Sequence, residues 1–191
     1  MASEMGAKNA VFPADELLVE FLGAEMKPGV WADSEATYAR KMEVDLAAVF
    51  PVAAIPHAVE NIKAVAEVAG TKIDAAVIGT CTNGRLDDLR VAARLLDGRR
   101  VSDGVQLLVI PASQAIYLQA MEEGVMATLV RAGATILASS CGPCLGSGQG
   151  IPADGHTVIS TANRNFQGRM GNAKAAIYLA SPATVAVSAA A

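Results

Sequence analysis

Four short apolar runs set the terms on which this chain can fold. Ile73–Ile78, Val105–Ile110, Ala134–Leu137 and Thr157–Ser160 are each nearly free of charge, and each breaks into glycine, proline or small polar residues at its end. Runs that are apolar throughout, rather than alternating, suit strands covered on both faces. Helical patterns separate the first three of them. Leu86, Leu89, Ala92, Ala93 and Leu96 share one helix face, Ile116, Leu118 and Met121 mark a second helix over 113–123, and a third covers 126–131 before Gly133. This alternation predicts an α/β domain of three layers, α/β/α, with a largely parallel sheet and helices on both faces.

The caps agree with that reading. Thr82 or Asn83 is placed to cap the helix that carries Asp87 and Asp88 in its first turn, where carboxylates complement the macrodipole, and Gly98 stops it. Residues 182–190 read as a final Ala/Val-rich helix. It reaches the last residue with no polar cap, so the chain is expected to be cut short. Before residue 57 the pattern differs. Asp15 caps a short helix that ends at Gly23, Pro28-Gly29 marks a turn, and Leu46–Phe50 reads as a strand or extended segment bounded by Pro51 and Pro56. From residue 57 the βα pattern begins, with Ala58–Glu67 as a short helix. A boundary near residue 65 divides residues 1–65, the expected remnant of a preceding α/β domain, from a second α/β domain over 66–191.

Two of the strands deliver cysteines. Cys81 follows Ile73–Ile78, and Cys141-Gly142-Pro143-Cys144 follows Ala134–Leu137. The carboxyl ends of strands are where an open α/β sheet presents functional groups. Three thiols are one too many for a disulfide and one too few for a closed zinc site. A four-iron cluster held by three cysteines leaves one iron without a protein ligand, free to act as a Lewis acid. Spacing alone weighs a cluster, zinc with His57 or His156 as fourth ligand, and buried structural thiols equally. A redox dithiol is disfavoured because Leu145–Gly150 is too glycine-rich to continue as a helix.

The rest of the composition narrows the partners. Aromatics make up 4% of the 191 residues and the net charge is −4 with no dense basic run, which argues against nucleic acid. No eighteen-residue apolar stretch suggests a membrane span and no signal peptide is evident. Three cysteines in a chain of this length fit a reducing cytoplasm better than a secreted disulfide scaffold.

The stretch after the fourth strand separates the readings. Arg164 and Arg169 flank Gly168 within Asn163-Arg164-Asn165-Phe166-Gln167-Gly168-Arg169, at the same sheet edge as the cysteines. Guanidiniums hold carboxylates in bidentate pairs. A metal with an open site beside two arginines suits a hydroxylated di- or tricarboxylic acid. Asn83, Asn163 and Asn165 can orient ligand groups or merely cap turns.

Gly79-Thr80-Cys81-Thr82-Asn83-Gly84-Arg85, Cys141-Gly142-Pro143-Cys144-Leu145-Gly146 and Thr161–Arg169 together resemble the signatures of the aconitase family, and Tyr178–Pro182 fits them too. The resemblance spans nearly the whole chain. It implies a [4Fe-4S] cluster on Cys81, Cys141 and Cys144, substrate-carboxylate roles for Arg164 and Arg169, and a cluster-side hydrogen bond from Asn163. It implies hydro-lyase activity, with the serine base on a swivelling domain carried by a separate small subunit. It also implies an N-terminal domain that precedes Met5-Gly6-Ala7-Lys8, so that this chain alone is expected to be an inactive, cluster-bearing portion. Aconitases proper have asparagine and glutamate where this chain has Glu4 and Lys8, and neither residue takes a role. A non-catalytic iron–sulfur or zinc-binding domain is the expectation of a different class.

Overall fold

The computed structural model describes residues 6–23 and 32–191. The chain divides into two compact units, Met1–Leu46 and Ala47–Ala191. In the first, α1 (Glu16–Leu22) is capped as its sequence directs: the Asp15 carboxylate accepts from Leu18 N at 2.9 Å, and Gly23 closes the helix at φ 68°. Packing does not hold it. No described residue before Ala53 is buried, and Phe12 and Phe21 are 85% and 83% exposed. The turn expected at Pro28-Gly29 lies outside the described residues.

The second unit is built on a seven-stranded sheet. Its strands are β1 (Val52–Ala54), β2 (Ile62–Ala64), β3 (Ala75–Gly79), β4 (Gln106–Ile110), β5 (Thr135–Ile136), β6 (Thr157–Ser160) and β7 (Ala176–Leu179), in the order β2-β1-β7-β6-β3-β4-β5. The five strands from β7 to β5 are parallel, and β1 is antiparallel to both β2 and β7. The α/β class and the largely parallel sheet are as the sequence predicts.

Two local readings change. The helix expected over Ala58–Glu67 is mostly a hairpin: Val52 pairs with Ala64 and Ile55 N donates to the Asn61 carbonyl, so only α2 (Val65–Val68) remains helical. Strand pairing with a ready partner overrides a weak helical preference. Leu46–Phe50 opens with a 3-10 turn at Leu46–Ala48 rather than a strand. Because β1 meets β7 at Ala54↔Leu179, the hairpin belongs to the sheet, and the second compact unit begins at Ala47.

The period of two along each strand sorts the core into two faces. Ala76, Ile78, Leu107, Val109 and Ile159 face α4 (Leu86–Leu96), α5 (Gln114–Glu122), α6 (Val125–Ala132) and α7 (Pro182–Ala189). Leu89, Ala92, Ala93 and Leu96 of α4 are buried there, as the periodicity predicts. Ser113 and Ser181 cap α5 and α7 through their hydroxyls. Thr82 and Asn83 do not cap α4; they sit in a separate turn, α3 (Thr80–Asn83), and Asp88 accepts from Arg85 N instead.

Ala75, Val77, Leu108, Ile110, Val158 and Ile177 point to the opposite face. Helices were expected here as well. Among the described residues this layer consists instead of a 3-10 turn, Gly142–Leu145, and irregular chain that brings in Cys144, Ala162 and Met170. Glycine at 142, 146, 148, 150 and 155 explains the difference, since each glycine costs a helix about 1 kcal/mol relative to alanine.

Candidate functional site

β3, β4 and β6 end side by side, and their following segments are packed backbone to backbone. Gly79 lies opposite Ile110 in the β3–β4 register at φ 121°, and a side chain there would strike the Ile110 carbonyl. A Cβ on Gly84 would lie 2.6 Å from the same oxygen, and one on Gly142 would lie 3.0 Å from Ile110 Cδ1. The end of β4 is therefore the common floor of the Cys81 turn and of the Cys141–Cys144 turn.

The Cys81 turn is a sharp elbow. After Gly79 the chain passes through Thr80 at φ 65°, a conformation uncommon for a β-branched residue, with its hydroxyl buried and unpartnered. Thr161, just past β6, secures the elbow: its hydroxyl accepts from Gly79 N at 2.9 Å, and its carbonyl accepts from Asn83 Nδ2 at 2.7 Å. Asn83 is thus a brace across the edge rather than a helix cap. Asn165 is a brace too. It is fully buried and donates to the Ile55 and Ile177 carbonyls, joining the chain after β1 to β7.

All three cysteines are free; Cys81 and Cys141 are exposed and Cys144 is buried. Asn163 Oδ1 stands 3.9 Å from Cys144 Sγ, and Arg169 Nη2 donates to the same sulfur at 3.6 Å. The Arg169 guanidinium also lies over the Phe166 ring, 5.5 Å from its centroid, and its Nε is buried without a partner. Arg164 is half-buried on the same loop. The structure thus joins Cys144, Asn163 and Arg169 directly, and brings the Cys81 elbow to the same edge. It does not gather the three sulfurs into a single-ion site: among the described residues no group of three His, Cys, Asp or Glu can hold one metal ion. Neither histidine joins them. His156 precedes β6, at the amino end of the parallel strands, and His57 is exposed in the β1–β2 turn.

Sequence reasoning assigned no role to Thr161, Phe166 or the Gly146–Gly171 contact. A Cβ on Gly171 would lie 2.7 Å from the Gly146 carbonyl, so the two loops touch where neither tolerates a side chain. The signal for Thr161 was its place, a hydroxyl directly after a strand. The contact between glycines 25 positions apart leaves no local trace.

A mostly parallel α/β domain with soft donors and guanidiniums at the carboxyl edge of its sheet belongs to the class that binds ligands at that edge. The chain is a member of the aconitase family: the family model, described as aconitase family (aconitate hydratase), matches residues 1–191. It is 50% identical over 193 residues to the 3-isopropylmalate dehydratase large subunit 2 of Archaeoglobus fulgidus, covering 99% of this chain and 46% of that protein. It is 47% identical over 192 residues to the 3-isopropylmalate dehydratase large subunit of Clostridium kluyveri, with 99% and 46% covered. It is 48% identical over 193 residues to the protein named "Probable methanogen homoaconitase large subunit" of Methanosarcina mazei, with 99% and 48% covered. The chain therefore spans about half the length of the curated relatives it matches. Among the described residues no helix is long and apolar enough to cross a membrane.

Proposed function

We propose that this chain is the cluster-bearing portion of the large subunit of a hydro-lyase that interconverts 2- and 3-isopropylmalate, a step of leucine biosynthesis, in the cytoplasm. The observation that carries the reading is the contact of the Arg169 guanidinium with the buried Cys144 sulfur at a sheet edge shared with Cys81 and Cys141. A guanidinium N–H directed at a sulfur suits a sulfur that serves as a soft metal ligand. The donor set fits a [4Fe-4S] cluster: three free thiols, soft throughout, on turns that share one floor. Each thiol of such a cluster binds a different iron, so the sulfurs need not form a single-ion group.

Cys81, Cys141 and Cys144 would hold the cluster, which when bound supplies a Lewis acid through its iron without a protein ligand. The remaining work falls to the chain's own side chains. Arg164 and Arg169 bind the substrate carboxylates, and Asn163 orients groups beside Cys144. The base that takes the proton is a serine on the swivelling domain of a small-subunit partner, a partner that the relatives' "large subunit" names support. The first unit, with its exposed apolar side chains, is read as the remnant of a preceding domain and rests against the part of the protein that precedes it.

The homoaconitase-named relative, at 48% identity, favours a second reading within the same class, a longer hydroxy tricarboxylic acid as substrate. Iron and acid-labile sulfide analysis of the anaerobically reconstituted chain tests the proposal. About four of each per chain are expected; zinc in their place, or no metal, sinks it. In the full large subunit with its partner, Arg164→Lys keeps the charge but loses bidentate geometry. A loss of about 2–4 kcal/mol in transition-state stabilisation is expected with the cluster retained. Turnover of isopropylmalate against homologous citrates separates the two substrates.

A further inference from the structure

We infer that Arg169 is a positioning residue for the cluster itself, acting through the sulfur of Cys144, in addition to any contact with substrate. The inference rests on the cluster reading above. Its ground is the way the arginine is held. Nη2 donates to Cys144 Sγ at 3.6 Å, while the Phe166 ring under the guanidinium leaves it little freedom to swing away. The backbone fixes the same relation. A Cβ on Gly146, two residues past Cys144, would lie 3.2 Å from the Arg169 carbonyl, so the two segments are in register at van der Waals contact. Cys144 is also set apart from the other two thiols: it is 7% exposed and packed with Ile110 and Met170, whereas Cys81 and Cys141 face solvent.

A cationic N–H donor on a ligating thiolate offsets negative charge on the cluster. It stabilises the reduced, more negative state and so raises the reduction potential, as hydrogen bonds to cluster sulfurs do generally. It also makes that sulfur a poorer target for oxidants.

The test uses the 191-residue chain, reconstituted anaerobically with iron and sulfide, and reads the reduction midpoint by paramagnetic resonance of the reduced cluster together with the rate of iron loss in air. Arg169→Gln is expected to shift the midpoint to more negative potential and to speed iron loss several-fold. Arg90→Gln removes the same charge from the helix-covered face and is expected to leave both in place. A wild-type midpoint and lifetime in Arg169→Gln, with a full cluster, overturns the inference and leaves the cluster reading standing. Absence of a cluster in the unaltered chain overturns both. If Arg169→Gln takes up no cluster, Arg169→Lys is read in its place. Restored uptake supports the role, because lysine keeps a cationic N–H donor, and uptake that stays lost in folded Arg169→Lys refutes it.

Discussion

The two faces of this sheet are made from the same strands yet solve different problems. On one, α4, α5, α6 and α7 bury Ile78, Leu107, Val109 and Leu129 in a conventional apolar layer. On the other, glycine-rich chain lies on Val77, Leu108 and Ile110 and presents Cys144 among them. The helical face is stabilised by side-chain volume, and the loop face by close backbone approach. Substitutions should therefore damage the two faces in different ways: the first in stability, the second in the alignment of the site.

The largest effect is expected on the helical face. Leu129→Ala removes a fully buried side chain and should cost about 2–5 kcal/mol in urea unfolding. The fraction that remains folded should take up iron and sulfide as before. Loss of uptake in fully folded protein would show that the faces are not separable. On the loop face, Gly171→Ala places a methyl against the Gly146 carbonyl at a φ of 87°. A destabilisation of about 1–3 kcal/mol is expected, with cluster uptake reduced well beyond the unfolded fraction. Normal uptake would mean that the contact between the two loops does not align Cys144.

The smallest effect comes from the edge of the helical face. Arg90 bridges Asp87 and Glu123, and its hydrogen bonds hold the Glu123 carboxyl below its ordinary range. A carboxyl lowered in the folded state contributes stability above its unfolded value, and that contribution is lost as pH falls through the folded value. Glu123→Gln should thus lower the urea midpoint slightly at neutral pH. The difference should close as pH drops through and below the carboxylate range, and shrink in high salt. A gap that persists at acid pH would assign the effect to packing rather than charge.

The helical face was legible because its information is local. The spacing of Leu89, Ala92, Ala93 and Leu96 declared a buried stripe, and β6 falls on the run Thr157–Ser160. The edge strands were harder. β2 was read as helix because Ile62-Lys63-Ala64 has no pattern of its own and becomes a strand by pairing with β1. β7 was missed although Ala176–Leu179 is a short apolar run closed by Ser181-Pro182. At the site, residue types pointed to Cys144, Asn163 and Arg169, while their braces did not. Asn83 read as a helix cap because capping is local, whereas its actual partner, the Thr161 carbonyl, lies 78 residues on.

Thr161 has a consequence for motion. It donates from its own backbone to Val77, receives Gly79 at its hydroxyl and Asn83 at its carbonyl, and begins the loop that carries Asn163, Arg164 and Arg169. Two segments from distant parts of the chain are therefore tied through one residue, and hydrogen exchange is expected to find them opening together. The amides of the Cys81 elbow and those that start the arginine loop are expected to exchange hydrogen with one shared opening free energy.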